Sequence, residues 1–473
     1  MRDRRERCEG GGRDGFGGTH GPQDTDGPRA VHPPRRPSAL LLRGVTSTAL
    51  FTDRYELTML SAALRDGTAD RSCAFEVFSR RLPGGRRYGV VAGTGRFLEA
   101  LTRFRFTDDE MASVAEFLTD ETLDWLRTYR FSGDVDGYPE GELYFPGSPI
   151  LSVRGTFAEC VILETLVLSI FNHDSAVASA AARMVSASDG RPLIEMGSRR
   201  AHEEAAVAAS RAAYIAGFSA TSNLEATRRH GIPGAGTSAH AFTLLHTDAD
   251  GPDEAAAFRA QVDALGVGTT LLVDTYDITA GVETAVAVAG PELGGVRIDS
   301  GDLGVLARQV RAQLDDLGAP TTRIVVSGDL DEYAIASLRA EPVDVYGVGT
   351  SVVTGSGAPT AGMVYKLVEV DGRPVAKRSA HKESRGGRKR AVRLARRTGT
   401  VVEELVTAAD APLPSTDPYD AREVAVPLVR GGDVVATATV ADARDLVAAG
   451  LTSLPWEGLG LSRGDAAIPT VFS

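Results

Sequence analysis

The sequence predicts an α/β protein in which parallel strands alternate with helices and form a barrel. Short apolar runs end repeatedly in polar clusters and are followed by helical stretches, which is typical of strand–helix units in a parallel sheet. Seven such units favour a barrel over an open sheet, and an active site is expected at the carboxyl ends of its strands. The polar clusters lie at residues 195–200, 218–223, 236–240, 273–277, 296–302, 326–329 and 346–351.

The residues before the barrel predict a mixed α and β region. Thr52 and Asp53 precede an apolar-periodic run, so a helix is expected to begin there. Alternating apolar residues over 74–79 predict a strand. Further along lie a turn at 83–85, two helices within 108–126 and a long, mostly buried helical region at 157–186.

Amphipathic segments between the polar clusters predict the helices of the barrel, at 201–212, 254–264, 303–317 and 332–339. After Met363 the pattern changes to strands at 364–370, 375–379 and 391–394, with a hairpin turn at Asp371-Gly372. A second hairpin pairs 424–429 with 434–439 around Gly431-Gly432. We therefore expect a disordered arm at 1–40, the N-terminal part of an α+β domain at 41–150, the barrel at 151–362 and a C-terminal β-rich segment at 363–473 that joins the N-terminal part.

The composition indicates a cytoplasmic globular protein. The chain has 473 residues, of which 43% are hydrophobic, and 51 Lys and Arg against 63 Asp and Glu give a net charge of −12. This charge argues against general binding of nucleic acid, although one basic pocket could still hold a small anion. Three widely spaced cysteines exclude a disulfide framework. The most apolar stretch, residues 160–171, is too short for a membrane span, and the N-terminus does not resemble a signal peptide.

Two strand ends with glycines are candidate phosphate sites. Gly347 and Gly349 allow backbone N–H groups to approach a phosphate, and Thr350 adds a hydroxyl donor. Ser327 and Gly328 have the same chemistry one unit earlier. The alternative is that these glycines serve only the steric needs of barrel turns.

Other polar side chains at the strand ends suggest catalysis on an anionic substrate. Arg297 and Asp299 are two residues apart on a strand and so share a face, where they could clamp an anion and hold a sugar hydroxyl or Mg²⁺; the alternative is a structural ion pair. His240 is a candidate nucleophile or acid–base group, and Arg199 a candidate phosphate ligand. Tyr55 could stack on an aromatic substrate. Each of these three also has a purely structural interpretation.

Seven short segments of the sequence together resemble nicotinate phosphoribosyltransferase, and they follow one another in the order in which they occur in that family. The matching segments are TDRYELTM (52–59), MGSRRAH (196–202), GFSATSN (217–223), GTSAHAF (236–242), DTYD (274–277), VRIDSGDL (296–303) and VGTSVVT (348–354). The resemblance implies the type II phosphoribosyltransferase architecture, an irregular, TIM-like α/β barrel with a second α+β domain built from N- and C-terminal segments. It also implies a homodimer with active sites at the subunit boundary.

The reaction implied by the resemblance joins nicotinate to 5-phosphoribosyl 1-diphosphate, giving nicotinate mononucleotide and pyrophosphate, the first step of NAD salvage from nicotinate. It implies Mg²⁺ as cofactor and ATP as co-substrate of an ATP-coupled ligase, with a phosphohistidine at His240. The implied catalytic residues are His240, Arg297 and Asp299. The implied ligands are Tyr55, Thr237, Ser222 and Arg297 for nicotinate; Arg199, Asp302, Ser327, Gly328, Gly347, Gly349 and Thr350 for the phosphoribosyl diphosphate; and Asp299 and Asp302 for Mg²⁺.

Ser222 bears on whether the substrate is the acid or the amide. The nicotinamide-using relatives carry an Asp at this position, and an Asp would repel a carboxylate, whereas Ser222 can donate a hydrogen bond to it. The alternatives are a nicotinamide phosphoribosyltransferase and a non-catalytic sensor of phosphoribosyl ligands. A Schiff-base aldolase is disfavoured because none of the seven polar clusters contains a lysine.

Overall fold

A curled parallel sheet and a larger antiparallel sheet organise the protein, which is described here by a computed structural model over residues 46–377 and 385–473. The predicted disordered arm at 1–40 lies outside the described residues, as does the end of the strand predicted at 375–379. The N-terminal part contains α1 (Arg54–Asp66), β1 (Ser72–Ser79), β2 (Gly89–Val90), α2 (Thr94–Arg103), α3 (Asp108–Val114), α4 (Asp120–Thr128), β3 (Asp134–Gly137), β4 (Leu143–Tyr144) and β5 (Leu151–Thr156).

The central part alternates strands and helices, as the sequence predicted. Its elements are α5 (Phe157–Val161), α6 (Glu164–Ala187), β6 (Leu193–Glu195), α7 (Glu203–Ile215), β7 (Ala220–Thr221), α8 (Leu224–His230), α9 (His240–Leu245), β8 (Thr247–Asp248), β9 (Gly251–Pro252), α10 (Glu254–Leu265), β10 (Thr270–Leu272), α11 (Ile278–Ala289), β11 (Gly295–Ile298), α12 (Leu303–Asp316), β12 (Arg323–Val326), α13 (Glu332–Ser337), β13 (Val345–Val348) and α14 (Thr350–Val353).

The C-terminal part is mostly antiparallel β structure. It contains β14 (Met363–Val370), β15 (Arg373–Pro374), β16 (Lys389–Ala395), β17 (Val401–Ala408), β18 (Asp420–Glu423), β19 (Val426–Arg430), β20 (Asp433–Val434), α15 (Val440–Ser453) and β21 (Thr470–Phe472). Both predicted hairpins form, and the turn residues Asp371, Gly372, Gly431 and Gly432 all have positive φ, as a two-residue hairpin turn requires.

The parallel sheet has six strands in the order β10-β11-β12-β13-β6-β7 and makes a half-barrel. The prediction of a seventh strand before the cluster at 236–240 is wrong. In its place the chain makes only a single parallel bridge, between Thr221 and Gly234. Pro233 has no N–H to donate, and two glycines follow it at 234 and 236, so the segment lacks the donors and side chains of a regular strand.

Four of the helices that follow polar clusters or turns begin at an aspartate that caps them. The side chains of Asp253, Asp277, Asp302 and Asp331 each accept a backbone N–H three residues ahead and cap the helices α10 to α13 in turn. A capping aspartate stabilises the first turn, because the first N–H groups of a helix have no partner within it.

The second sheet contains seven antiparallel strands in the order β15-β14-β1-β5-β3-β19-β20. Three strands from the N-terminal part lie at its centre, and two strands from the C-terminal part flank them on each side, which confirms the predicted fold class. A smaller sheet, β18-β16-β17-β21, is formed entirely by the C-terminal part.

Helix α6 connects the hydrophobic cores beneath the two large sheets. Ile170 and Phe171 pack into the core of the antiparallel sheet, and Val177 and Met184 into the core of the parallel sheet. In the described part of the chain, Phe157–Ala187 is the one helical stretch long and apolar enough to cross a membrane, but 67% of its most apolar window is buried inside the protein. The apolar region is therefore longer than the predicted 160–171, and it is packed as a core helix.

Candidate functional site

Arg297 lies at the centre of the polar groups at the carboxyl edge of the parallel sheet. Its Nε donates to Ser327 Oγ at 2.8 Å, and its Nη2 donates to Asp299 Oδ1 at 3.0 Å. Ser327 Oγ also donates to Asp299 Oδ1, so the three side chains close a ring. Arg297 and Asp299 share a face of the strand end, as their spacing predicted, and the ring fixes the orientation of the guanidinium.

The ring also fixes the charge of Asp299. Burial opposes its ionisation, but hydrogen bonds from Ser327 and Arg297, together with the electrostatic effect of Arg297 and the nearby His240 ring, lower the pKa of this carboxyl below its ordinary value. Asp299 is therefore a carboxylate near neutral pH, next to a guanidinium that is only slightly exposed.

Residues 233–240 reach from the edge strand β7 to β11, next to the opposite edge of the half-barrel. At β7, the Ala235 N–H donates to the Thr221 carbonyl at 2.9 Å. At β11, Arg297 Nη1 lies 3.3 Å from both Thr237 Oγ1 and the Ser238 carbonyl. This segment, which we call the bridging loop, takes the place of the missing seventh strand and brings Thr237 and His240 to the mouth of the half-barrel.

His240 begins helix α9 and faces the end of β10. Its Nδ1 lies 3.2 Å from Thr275 Oγ1, and its Nε2 lies 3.8 Å from Asp274 Oδ1. The Asp274 side chain is 1% exposed, and its other oxygen accepts from the Asp299 N–H and from Ser300 Oγ. The imidazole, at 40% exposure, is open to a reactant on one side and lies near a buried carboxylate on the other.

The predicted phosphate loops lie on neighbouring strands of the same edge. A Cβ on Gly347 would lie 2.8 Å from Met196 Sδ, and one on Gly328, where φ is 115°, would lie 2.9 Å from the Asp299 carbonyl. Gly328 is therefore required sterically, as the alternative interpretation proposed, whereas at Gly347 the flexible Met196 side chain would have to shift. Gly349 precedes α14, and Thr350, the first residue of that helix, is exposed.

Arg199 and Ser222 are exposed at the ends of β6 and β7, on the same edge of the sheet. Asp302 also follows a strand end, but its Oδ1 accepts the Val305 N–H at 3.1 Å as the cap of α12. In the described residues, no cluster of three or more His, Cys, Asp or Glu side chains could hold a metal by itself.

Tyr55 lies apart from this cluster. It is on α1, which packs against α4 and α5, and burial followed by the charges of Glu164, Glu56 and Asp53 raises its pKa to about 12. No contact of Tyr55 with Arg297 or His240 is present within the described residues, and 46% of the tyrosine is exposed.

Two carboxylates at this edge were not among the predicted site residues. Asp274 belongs to a predicted polar cluster, but the sequence could not distinguish it from the nearby helix cap Asp277. Glu195 is buried and accepts hydrogen bonds from Ser210 Oγ, Thr221 Oγ1 and the Gly197 N–H, which orders the turn containing Arg199.

A parallel half-barrel whose strand ends hold an ordered guanidinium, carboxylates and close-approach glycines is typical of an α/β-barrel enzyme, and the groups at that edge suit a small anionic ligand. The family model of the nicotinate phosphoribosyltransferase N-terminal domain matches residues 50–172, and that of the nicotinate phosphoribosyltransferase family matches residues 192–403. The chain belongs to the nicotinate phosphoribosyltransferase family, which confirms the resemblance seen in the sequence.

Characterised relatives match most of the chain. It is 69% identical over 424 residues to nicotinate phosphoribosyltransferase pncB1 of Mycobacterium tuberculosis, covering 89% of this chain and 94% of the relative. Human nicotinate phosphoribosyltransferase is 34% identical to this chain over 431 residues, which cover 77% of this chain and 80% of the human protein. The crystal structure of human nicotinic acid phosphoribosyltransferase has a TM-score of 0.75 at 29% identity and covers 89% of this chain and 97% of that one.

Proposed function

We propose that this enzyme joins nicotinate to 5-phosphoribosyl 1-diphosphate, releasing pyrophosphate and forming nicotinate mononucleotide for NAD salvage. The hydrogen bonding of Arg297 carries this proposal. Nε and Nη2 make the shorter bonds of 2.8 and 3.0 Å that hold the guanidinium, whereas Nη1 makes only two contacts of 3.3 Å with the bridging loop. Nη1 is therefore the group that can exchange its partners for a substrate carboxylate, with Thr237 and Ser222 as further donors.

The reaction requires the pyridine nitrogen to attack the ribose carbon as the carbon–oxygen bond to pyrophosphate breaks. The ribose carbon gains positive charge and the leaving oxygens gain negative charge. In our proposal Asp299 faces the ribose, while Arg199, Ser327, Gly328, Gly347, Gly349 and Thr350 surround the phosphates. Holding both substrates at one strand edge converts their encounter into a reaction within a single complex.

Mg²⁺ fits this chemistry as an ion that is shared with the diphosphate. Magnesium is commonly held by one or two carboxylates together with substrate phosphates. Asp299 and Asp302 would provide those carboxylates, and the nearby buried Asp274 Oδ1 has no hydrogen-bond partner in the described residues, which suits a site that receives a cation. The ion supplies charge neutralisation on the leaving pyrophosphate.

ATP is proposed to act through His240. A nitrogen of the imidazole forms a bond to the γ-phosphorus while the bond to ADP breaks, and water later hydrolyses the phosphohistidine. Asp274 would stabilise positive charge on the ring during the transfer, and the phosphate would add negative charge beside the bridging loop. Because this loop also contacts Arg297, phosphorylation could tighten the substrate site.

The active unit is proposed to be a cytoplasmic homodimer. Phe51, Tyr55 and Met59 place large side chains with 63%, 46% and 38% exposure on and just before α1, which supports an interface there. Tyr55 would then close over the pyridine ring of the partner's site. Cys73 and Cys160 are buried free thiols, which suits a reducing compartment.

The direct test follows formation of pyrophosphate and mononucleotide from 5-phosphoribosyl 1-diphosphate with nicotinate or nicotinamide, with and without ATP. We expect turnover of nicotinate, stimulation by ATP, and a shift toward nicotinamide in Ser222→Asp. A wild-type preference for nicotinamide would reassign the substrate, and ligand binding without pyrophosphate release would indicate a sensor.

The histidine step has its own test. Incubation with ATP labelled at the γ-phosphate should leave an acid-labile label on the wild-type chain but not on His240→Ala. His202→Ala is the matched control, because His202 is an exposed histidine that follows the turn containing Arg199. Equal labelling of His240→Ala would reject the phosphohistidine.

A further inference from the structure

A second basic cavity lies in the C-terminal part, on the small antiparallel sheet. It is formed by the turn between β16 and β17, by β18 and by the C-terminal half of α15, and we call it the arginine groove. Two adjoining cavities of about 480 and 510 Å³ make up the groove and share Gly399, Ala449 and Ser453. None of the predicted site residues lines it.

The groove concentrates positive charge on an acidic protein. Four arginines line it, Arg393, Arg396, Arg397 and Arg422, against two acids, Glu142 and Asp420, whereas the whole chain carries −12. A local excess of arginine on such a background attracts anions specifically to this position.

The buried acid of the groove is already neutralised. Glu142 pairs with Arg422 at 2.8 Å and more distantly with Arg393 at 3.5 Å, and Arg393 is itself paired with Glu404 at 2.6 Å. Arg393 is 4% exposed, and its Nε is buried without a hydrogen-bond partner in the described residues. Arg396 and Arg397 are exposed, and their guanidinium groups have no carboxylate partner within the part of the chain that the structure describes. These two arginines therefore remain available to a ligand.

The rest of the lining suits a ligand with both a phosphate end and a flat apolar end. Beside the free arginines, the turn carries the hydroxyls of Thr398 and Thr400, which lie 3.3 Å apart. The opposite wall is the small-residue face of α15, with Ala449 and Gly450, and the short side chains there leave room for a planar group. Arginine suits phosphate because its fork of N–H donors can bind two oxygens at once.

We propose that the arginine groove binds a nucleotide, with its phosphates at Arg396 and Arg397 and its base against α15. Each of the two cavities lies within the size range of small-molecule sites, and a bare pyrophosphate would occupy only the cationic end. The site is separate from the carboxyl edge of the half-barrel, so it does not depend on the proposed reaction.

The test uses ADP as the probe on the full chain, with hydrogen–deuterium exchange to locate binding. We expect ADP to protect residues 396–401 and 446–453, also in the Arg297→Gln protein. The Arg396→Gln/Arg397→Gln variant should lose this protection and bind ADP at the groove at least about tenfold more weakly, because two charge-assisted contacts are removed. Arg65→Gln/Arg259→Gln, which neutralises two exposed arginines elsewhere, should behave like the wild type.

Three results would overturn the proposal. The first is protection by ADP that is confined to 233–240 and 295–302, or no protection at all. The second is unchanged protection in the Arg396→Gln/Arg397→Gln variant. The third is binding of inorganic pyrophosphate to the groove as tightly as ADP, which would remove the contribution of the base.

Discussion

Arg297 Nη1 and Thr237 Oγ1 lie 3.3 Å apart, although the two residues are 60 positions apart in the chain. This contact joins β11 to the bridging loop, whose other end is bonded to β7 through the bridge between Thr221 and Gly234. The loop therefore closes the mouth of a sheet that lacks its seventh strand. Because its contacts with Arg297 are long, the loop can rearrange around a substrate while the ring of Arg297, Ser327 and Asp299 stays in place.

Replacing Arg297 tests this arrangement. Arg297→Gln should lower kcat/KM for nicotinate by about 100-fold or more, since losing a charged partner in a largely buried pair costs on the order of 3 kcal/mol. Arg297→Lys should not restore activity, because a lysine cannot hold Ser327, Asp299 and a carboxylate at once. Steady-state kinetics with nicotinate measures the effect.

Arg308→Gln is the control for Arg297. Arg308 is more than half exposed and pairs with Glu341 beside α12, away from the strand ends. We expect kinetics close to wild type in this variant. If both substitutions lowered kcat/KM equally, a general loss of charge would explain the result and the substrate contact would be rejected.

Mixed dimers test whether Tyr55 acts across a subunit boundary. A heterodimer of one Tyr55→Ala chain and one His240→Ala chain contains one complete site if Tyr55 serves the partner's half-barrel. We expect it to recover about half of the ATP-stimulated activity that both homodimers lack. No recovery in a purified, differently tagged heterodimer would place Tyr55 in the site of its own chain.

Local patterns were sufficient to predict much of the fold. The amphipathic segments 254–264 and 303–317 predicted α10 and α12, and the two-residue period of a strand predicted the shared face of Arg297 and Asp299. The relationships that the sequence did not predict depend on tertiary structure. Whether 234–236 pairs as a strand depends on what lies beside it, and the burial of Asp274 depends on chain segments far away in sequence.

A buried ion pair between two C-terminal strands is also hydrogen-bonded to the N-terminal part, and it should dominate stability there. Glu404, which is fully buried, accepts from Arg393 Nη2 at 2.6 Å and from Tyr138 Oη at 3.0 Å. Glu404→Gln leaves the buried Arg393 charge without this partner, so we expect a loss of about 3 kcal/mol in the free energy of unfolding. Urea denaturation measures it.

The surface pair of Glu99 and Arg103 provides the comparison for Glu404. The Glu99 side chain is largely exposed, so Glu99→Gln should cost less than about 1 kcal/mol. A Glu404→Gln protein as stable as Glu99→Gln would show that the buried pair does not hold these segments together.

Glu254 should make the protein less stable as pH rises from about 5 to about 7. Burial, followed by the charges of Asp274 and Asp277, raises its pKa from the ordinary 4.5 to about 7, and its Oε1 is buried without a hydrogen-bond partner in the described residues. Between these two pH values the folded chain keeps a proton that the unfolded chain has released, so stability falls as pH rises. Glu254→Gln has no such group to ionise. Its melting temperature should therefore lie increasingly above that of wild type from about pH 5 to pH 7 and by a constant amount at higher pH, and a constant difference below pH 7 as well would contradict the raised pKa.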